Sequence, residues 1–315
     1  MNVPPSPEMT LKYLRTRNKK FTSLEQIRNA MNKPSKVPLY QDHNFLADTK
    51  VKGYWVGKVP SDENRPNHVL LSLHGGAFVA GSSFSCVTIY DFWQREIEEQ
   101  KLDLVIFTID YALAPECPFP QGLWDCVNSF LWLKRRFPKV SIAGNSAGGN
   151  LTFATLLFLI NHNEPLPAKV IGMSAAPSIF PIGMSPKTNA DKDWLTFLAP
   201  EGGFPSIAKL ALFFSYLGDY MIKKGLDPDK VSQDPYASPL YGDFTKALDV
   251  PILLQVGGNE MLLDSNVVFA QKLSEQGLNV VLRVYPEMFH DWFCFDTPLT
   301  QPALTEVLKF ITDEE

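Results

Sequence analysis

Gly144, Asn145, Ser146, Ala147 and Gly148 stand in a row between two apolar segments of this 315-residue chain. The four residues before them, 140–143, have the character of a short buried strand. The ten residues at 151–160 read as a buried helix. A serine at such a junction sits on a turn tight enough to strain its backbone and lift its hydroxyl clear of the strand. Glycines two before and two after it leave room where a Cβ would collide with neighbouring backbone. The five-residue pattern is weak alone, because glycine and serine are common. Its strand-to-helix setting is what constrains the chain.

The rest of the sequence supplies the strands and helices that such a turn needs. Residues 51–56 alternate weakly, and residues 69–73 and 102–109 are nearly continuous apolar runs. Helical patterns cover residues 89–100 and 121–137, the latter with a stripe of Leu123, Trp124, Val127, Phe130 and Leu131. After the serine, residues 170–175 and 251–256 read as strands, 264–276 as a helix, 280–285 as a strand and 301–311 as a helix. Apolar strands alternating with helices imply a mostly parallel sheet covered on both faces. The rhythm stops over residues 177–248, where an aromatic helical pattern at 207–221 lies among Pro, Gly and Asp clusters. This stretch reads as an insertion over the sheet's C-terminal edge. Near the N-terminus, Thr22, Ser23, Leu24 and Glu25 resemble a capping box ahead of a short amphipathic helix.

Composition narrows the partners. A net charge of −5 gives no reason to expect nucleic acid. No apolar run approaches the roughly 18 residues of a membrane span. Residues 1–20 lack the apolar core of a signal peptide. The four cysteines show no C-x-x-C spacing, so reduced thiols in the cytoplasm are the default expectation. The edge strand at 280–285 could pair two copies in a homodimer.

A serine hydroxyl needs a base within hydrogen-bond reach, and the base needs an acid to hold its tautomer. A serine on a strand-to-helix elbow goes, in α/β-hydrolases, with the chain order Ser, then Asp or Glu, then His. Only His162 and His290 follow Ser146. His162 ends the elbow helix, roughly 24 Å from its start at 1.5 Å rise per residue, so it does not reach back. His290, on the loop after strand 280–285, is the expected base. On the loop after strand 251–256 two carboxylates compete, Glu260 and Asp264. Asp264 is well placed to cap the following helix, which favours Glu260 as the acid. Donors for an oxyanion are expected from the loop at His74, Gly75, Gly76 and Ala77 and from the N–H of Ala147. His74 precedes the serine and is read as structural.

Several stretches together resemble the hormone-sensitive-lipase-like family of α/β-hydrolases. They are His74 to Phe78 (HGGAF), Asp110 to Glu116 (DYALAPE), Phe119-Pro120, Gly144 to Asn150 (GNSAGGN) and Ser238 to Leu240 (SPL). The resemblance implies an α/β-hydrolase fold with a helical cap, esterase or lipase activity and no cofactor. It puts the nucleophile on Ser146, the base on His290 and the acid on Glu260, which opens an E-x-L-x-D box ending at Asp264. It puts the oxyanion donors on Gly75, Gly76, Ala77 and Ala147. Ala77 replaces a third glycine, Asn145 replaces the usual acid before the serine, and Ala112 replaces a common arginine.

The resulting expectation is a serine carboxylesterase for small to medium apolar esters. Deacetylation of a larger alcohol, amidase activity, or small-molecule binding without turnover are the alternatives. The expected division is an N-terminal cap segment at 1–45, a catalytic domain at 46–176 and 249–315, and a cap insertion at 177–248. Phe78, Phe213 and Phe214 are expected at the substrate. Phe204, Leu210, Tyr216 and Leu217 are expected to line or support the same pocket, more as packing than as contacts for any single one.

Overall fold

The structure, a computed structural model, describes residues 6–18, 23–32, 34–63, 65–195, 216–218, 230 and 232–313. Its centre is an eight-stranded sheet. The strands are β1 (Leu39–Gln41), β2 (Lys52–Val56), β3 (His68–Leu73), β4 (Leu104–Asp110), β5 (Lys139–Asn145), β6 (Val170–Met173), β7 (Ile252–Gly257) and β8 (Val280–Tyr285). Their spatial order is β1-β2-β4-β3-β5-β6-β7-β8. The first two pairings, β1 with β2 and β2 with β4, are antiparallel. All the others are parallel.

Strand period two decides what each face carries. In β3, Val69, Leu71 and Leu73 point into one core and Leu70 into the other. Both faces are apolar because helices cover both. Helices α4 (Gln121–Lys134), α5 (Ala147–Asn161) and α7 (Leu263–Glu275) pack on one side. On the other lie α3 (Val87–Gln100) and α8 (Thr300–Thr312), joined where the Trp93 indole N–H donates to the Leu304 carbonyl at 3.0 Å. Helix α5 is buried almost all round, between α4, α7 and the sheet. That explains why its sequence shows no polar stripe.

Among the described residues, the strands and helices expected from the sequence are present within a few residues of their expected ends, the helical pattern at 207–221 excepted. Among the described residues, elements not anticipated include β1, the N-terminal helix α1 (Pro7–Asn18) and a short helix at Ser185–Thr188. β1 is three residues long, below the length at which alternation is legible. It pairs Leu39 with Val56, so the sheet begins inside the segment ahead of residue 45. In helix α2 (Leu24–Met31) the cap is displaced by one residue from the expected box: Ser23 accepts from the Gln26 N–H at 3.2 Å. Thr22 lies outside the described residues. So does most of the aromatic helical pattern at 207–221.

The Arg28 side chain ties helix α2 to the body of the protein. The Arg28 guanidinium donates to both carboxylate oxygens of Glu116 at 2.8 Å, to the Val79 carbonyl at 2.8 Å and to the Ala114 carbonyl at 3.0 Å. The N-terminal segment is thereby tied to the chain just beyond the glycine loop.

Candidate active site

Parallel strands bring their C-terminal ends to one rim, and β5 is central. Ser146 follows it directly, with φ 53° and ψ −117°, a left-handed φ that L-residues rarely adopt. Backbone bonds hold that turn: Ser146 N–H donates to Met173 at 3.0 Å, and its carbonyl accepts from Ala176 at 3.0 Å and Asn150 at 3.1 Å. Gly144 and Gly148 are required by contact. A Cβ on Gly144 would overlap the Gly148 carbonyl, and one on Gly148 would overlap the carbonyls of Leu73 and His74.

The hydroxyl so presented meets an imidazole. His290 Nε2 lies 2.9 Å from Ser146 Oγ, and His290 Nδ1 lies 3.0 Å from Glu260 Oε2. Glu260 and His290 are both buried, at 0% and 1% side-chain exposure. The other Glu260 oxygen accepts from Ser174 Oγ at 2.5 Å and from the Gly257 N–H at 2.6 Å. A carboxylate fixed at Nδ1 favours the Nδ1–H tautomer, which leaves the Nε2 lone pair facing Ser146 Oγ.

Glu260 is therefore the carboxylate at the imidazole, and Asp264 is not. Asp264 does not cap its own helix, as the sequence suggested. It lies inside the first turn of α7, and its Oδ2 accepts from the N–H groups of Met184 and Ser185 at 2.6 and 2.8 Å. It serves the start of the short helix α6 (Ser185–Thr188) instead. His162, at the far end of α5, is exposed and bonds the Phe158 carbonyl at 2.9 Å.

The glycine loop after β3 curls over the serine. Gly76, Ala77 and Phe78 all have positive φ, at 130°, 54° and 64°. Tyr111 stacks on His74 at 4.1 Å and donates its hydroxyl to the His74 carbonyl at 2.7 Å. His74 Nδ1 lies 2.8 Å from the Gly75 carbonyl, so this histidine braces the loop. One expected donor is already committed: Gly75 N–H donates to Asn145 Oδ1 at 2.9 Å. Motif position could not reveal that, because it depends on the side chain before the serine. The N–H groups of Gly76, Ala77 and Ala147 have no partner among the described residues.

Of the expected substrate residues, Phe78 is buried and stacks on Tyr216 with ring centroids 4.1 Å apart. Tyr216 and Leu217 are buried in the same core. Phe204, Leu210, Phe213 and Phe214 lie outside the described residues.

Sequence reasoning missed the acidic surroundings of His290. Buried Asp193 accepts from the His290 N–H at 3.1 Å and the Met261 N–H at 2.8 Å, while the Trp194 indole donates to the His290 carbonyl at 2.6 Å. Asp291 Oδ2 accepts from Asn145 Nδ2 at 2.9 Å and lies 3.5 Å from His290 Nε2. Burial pulls the His290 pKa down, but Asp291, Glu260 and Asp193 outweigh it and lift it above the ordinary histidine value. Burial lifts Asp193 and Asp291 to about 6 each, against the pull of His290. Asp291 had a signal in being adjacent to the base. Asp193, 97 positions from His290, had none.

A family model described as the alpha/beta hydrolase fold matches residues 70–294, and every residue of the site just described falls inside that span. The chain is an α/β hydrolase. The hydrolase is 30% identical over 253 residues to an acetyl-hydrolase of Streptomyces hygroscopicus, covering 78% of this chain and 74% of that protein. Hormone-sensitive lipase of Homo sapiens is 32% identical over 129 residues, 39% of this chain and 12% of that one. Among solved structures, an esterase from the bacterial hormone-sensitive lipase family superposes with TM-score 0.80 at 26% identity, over 99% of each chain. EstE5 soaked with p-nitrophenyl butyrate gives 0.79 at 25% identity, over 98% of each. The hydrolase belongs to the hormone-sensitive-lipase-like group. Among the described residues no helix is long and apolar enough to cross a membrane.

Proposed function

We propose that Ser146, His290 and Glu260 hydrolyse small to medium apolar carboxylic esters through an acyl-enzyme. The protein is a carboxylic ester hydrolase of the serine type. The observation that carries the residue roles is the unbroken chain of contacts from Ser146 Oγ through the imidazole to Glu260, at 2.9 and 3.0 Å.

Ser146 Oγ bonds to the ester carbonyl carbon as its proton passes to His290 Nε2. The carbonyl π electrons become an oxyanion. The N–H groups of Gly76, Ala77 and Ala147 are our donors for it, and the N-terminus of α5 adds a favourable dipole. Glu260 accepts the Nδ1–H bond and stabilises the imidazolium. The intermediate collapses, the C–O bond to the alcohol breaks, and His290 returns its proton to the leaving oxygen. Water then takes the place of the alcohol, with His290 as base, and releases the acid and Ser146.

Residues 1–45 and 177–248 are assigned to a cap, except for β1 (Leu39–Gln41), which pairs into the sheet and belongs with residues 46–176 and 249–315 in the catalytic domain. The Arg28 bonds to Val79 and Ala114 and the stack of Tyr216 on Phe78 support that assignment. Phe78, Phe213 and Phe214 are proposed at the acyl pocket. A rate profile over p-nitrophenyl esters of increasing acyl length tests it, and a pocket of fixed depth gives a sharp optimum. We also assign the enzyme to the cytoplasm and to a homodimer through β8, an edge strand with Val284 exposed. Analytical ultracentrifugation checks the dimer.

Labelling with a fluorophosphonate tests the central reading. Wild type is expected to be labelled on Ser146 and the Ser146→Ala protein to be unlabelled and inactive on p-nitrophenyl acetate. Hydrolysis by Ser146→Ala at the wild-type rate overturns it.

A further inference from the structure

One carboxylate at the site takes no part in the relay from Ser146 to Glu260. Asp291 has φ 56°, and this left-handed turn brings its side chain back beside the imidazole that precedes it. Its own N–H donates to Ser174 Oγ at 3.3 Å, the same hydroxyl that bonds Glu260. Its Oδ2 lies 3.5 Å from His290 Nε2, the nitrogen that faces Ser146. That is beyond a good N–H···O bond, so Ser146 Oγ at 2.9 Å keeps the nitrogen and Asp291 acts on it by charge.

Asn145 fixes this carboxylate. Its carboxamide has both ends in use: Nδ2 donates to Asp291 Oδ2 at 2.9 Å, and Oδ1 accepts from Gly75 N–H at 2.9 Å and from the Cys86 thiol at 3.4 Å. An acid at position 145 could still accept from Gly75 but would set two carboxylates face to face. The amide at 145 and the acid at 291 are therefore matched. The acid that the family resemblance puts before the serine stands here on the other side of the same contact.

We propose that Asp291 is a positioning residue for His290, a second carboxylate on the Nε2 side that Asn145 holds in place and that stabilises the imidazolium formed when Ser146 gives up its proton. The proposal rests on His290 being the base. Among the described residues, the other charged groups facing the imidazole are Glu260, from the β7–α7 loop, and Asp193, from the segment after β6. Glu260 acts at Nδ1 and Asp193 accepts from the backbone N–H. Among the charged groups of the described residues, Asp291 is the one at Nε2, the nitrogen that exchanges the proton. Below a pH of about 6 Asp291 protonates and this contribution fades.

The test is kcat/KM on p-nitrophenyl acetate as a function of pH. It is run on wild type, Asp291→Asn, Asp291→Gly, Asn145→Asp and the double variant Asn145→Asp/Asp291→Asn. Each protein's melting curve is recorded alongside. Wild type shows an acid limb from His290. Asp291→Asn and Asp291→Gly move its midpoint to lower pH by about one unit, as removal of a neighbouring negative charge should. Glycine tolerates the left-handed turn, so one of the two variants folds even if the other does not. Asn145→Asp alone loses on the order of tenfold in kcat/KM near neutral pH, from two opposed carboxylates. The double variant recovers that loss and returns the limb toward wild type, because one charge again faces one amide. An acid limb that both Asp291 variants leave in place overturns the inference, whatever happens to kcat or melting temperature. A double variant no better than Asn145→Asp overturns it too. If His290→Ala keeps wild-type activity, the assignment of the base has failed, and this inference fails with it. That outcome is recognised without any pH profile.

Discussion

The two halves of the active site are built by different means. The serine and the glycine loop are made of backbone: positive φ at Gly76, Ala77, Phe78 and Ser146, and glycines at 144 and 148 where a Cβ has no room. The histidine half is made of buried charge. Glu260, Asp193 and Asp291 come from three separate stretches of chain and surround one imidazole. A backbone half is fixed by local residue choice. A charged half depends on long-range packing to desolvate its groups and to aim them, and it alone responds to pH.

The sharpest way to break this comparison is to remove the imidazole. His290→Ala should lower kcat on p-nitrophenyl acetate by roughly 10⁴–10⁶-fold with the melting temperature little changed. Loss of both together would mean that the charged half also holds up the fold. Glu260→Gln keeps the shape but not the charge and should cost about 10⁴-fold in kcat, by analogy with the wrong-tautomer variant of a serine protease. A loss under about tenfold would count against Glu260 as the acid.

On the other half, Gly148→Ala drives a methyl against the carbonyls of Leu73 and His74. It should destabilise by about 1–3 kcal/mol and lower kcat by around 10²-fold through misplacement of the serine, both independent of pH. A pH-dependent effect here would blur the distinction.

Asp193 supplies a smaller and signed test. Burial raises its folded pKa to about 6, above the unfolded aspartate value. The stability linked to that shift is complete below the unfolded value and is lost as pH rises through about 6. Asp193→Asn cannot ionise. Its melting temperature should fall less than that of wild type between about pH 5 and about pH 8. A fall as steep as wild type's would remove Asp193 from the charged half. Least of all, His162→Ala at the exposed end of α5 should change stability by under about 0.5 kcal/mol and leave activity intact.

The sequence was informative where the physics is local. Period two and period 3.6 located the strands and helices, and the G-x-S-x-G elbow located the serine because a strained turn leaves glycines behind. Chain order then singled out His290. Legibility ended where a contact depends on what folds back. Asp264 looked like a helix cap and serves another helix. Gly75 stood in the donor motif, yet its N–H is taken by Asn145. Asp193 sits in the one stretch without strand or helix rhythm, so nothing in its neighbours marks it. β1 was too short to carry a period at all.

Asp193 and Trp194 belong to the stretch after β6, while the imidazole they grip hangs from the loop after β8. Anyone transplanting that stretch from a relative to change which acids are accepted would also be replacing two of the clamps on the base. On the proposed cap assignment, the piece of chain that would be exchanged to alter selectivity also carries two holds on the His290 backbone, so a graft that spares positions 193 and 194 is the one expected to leave the imidazole in place.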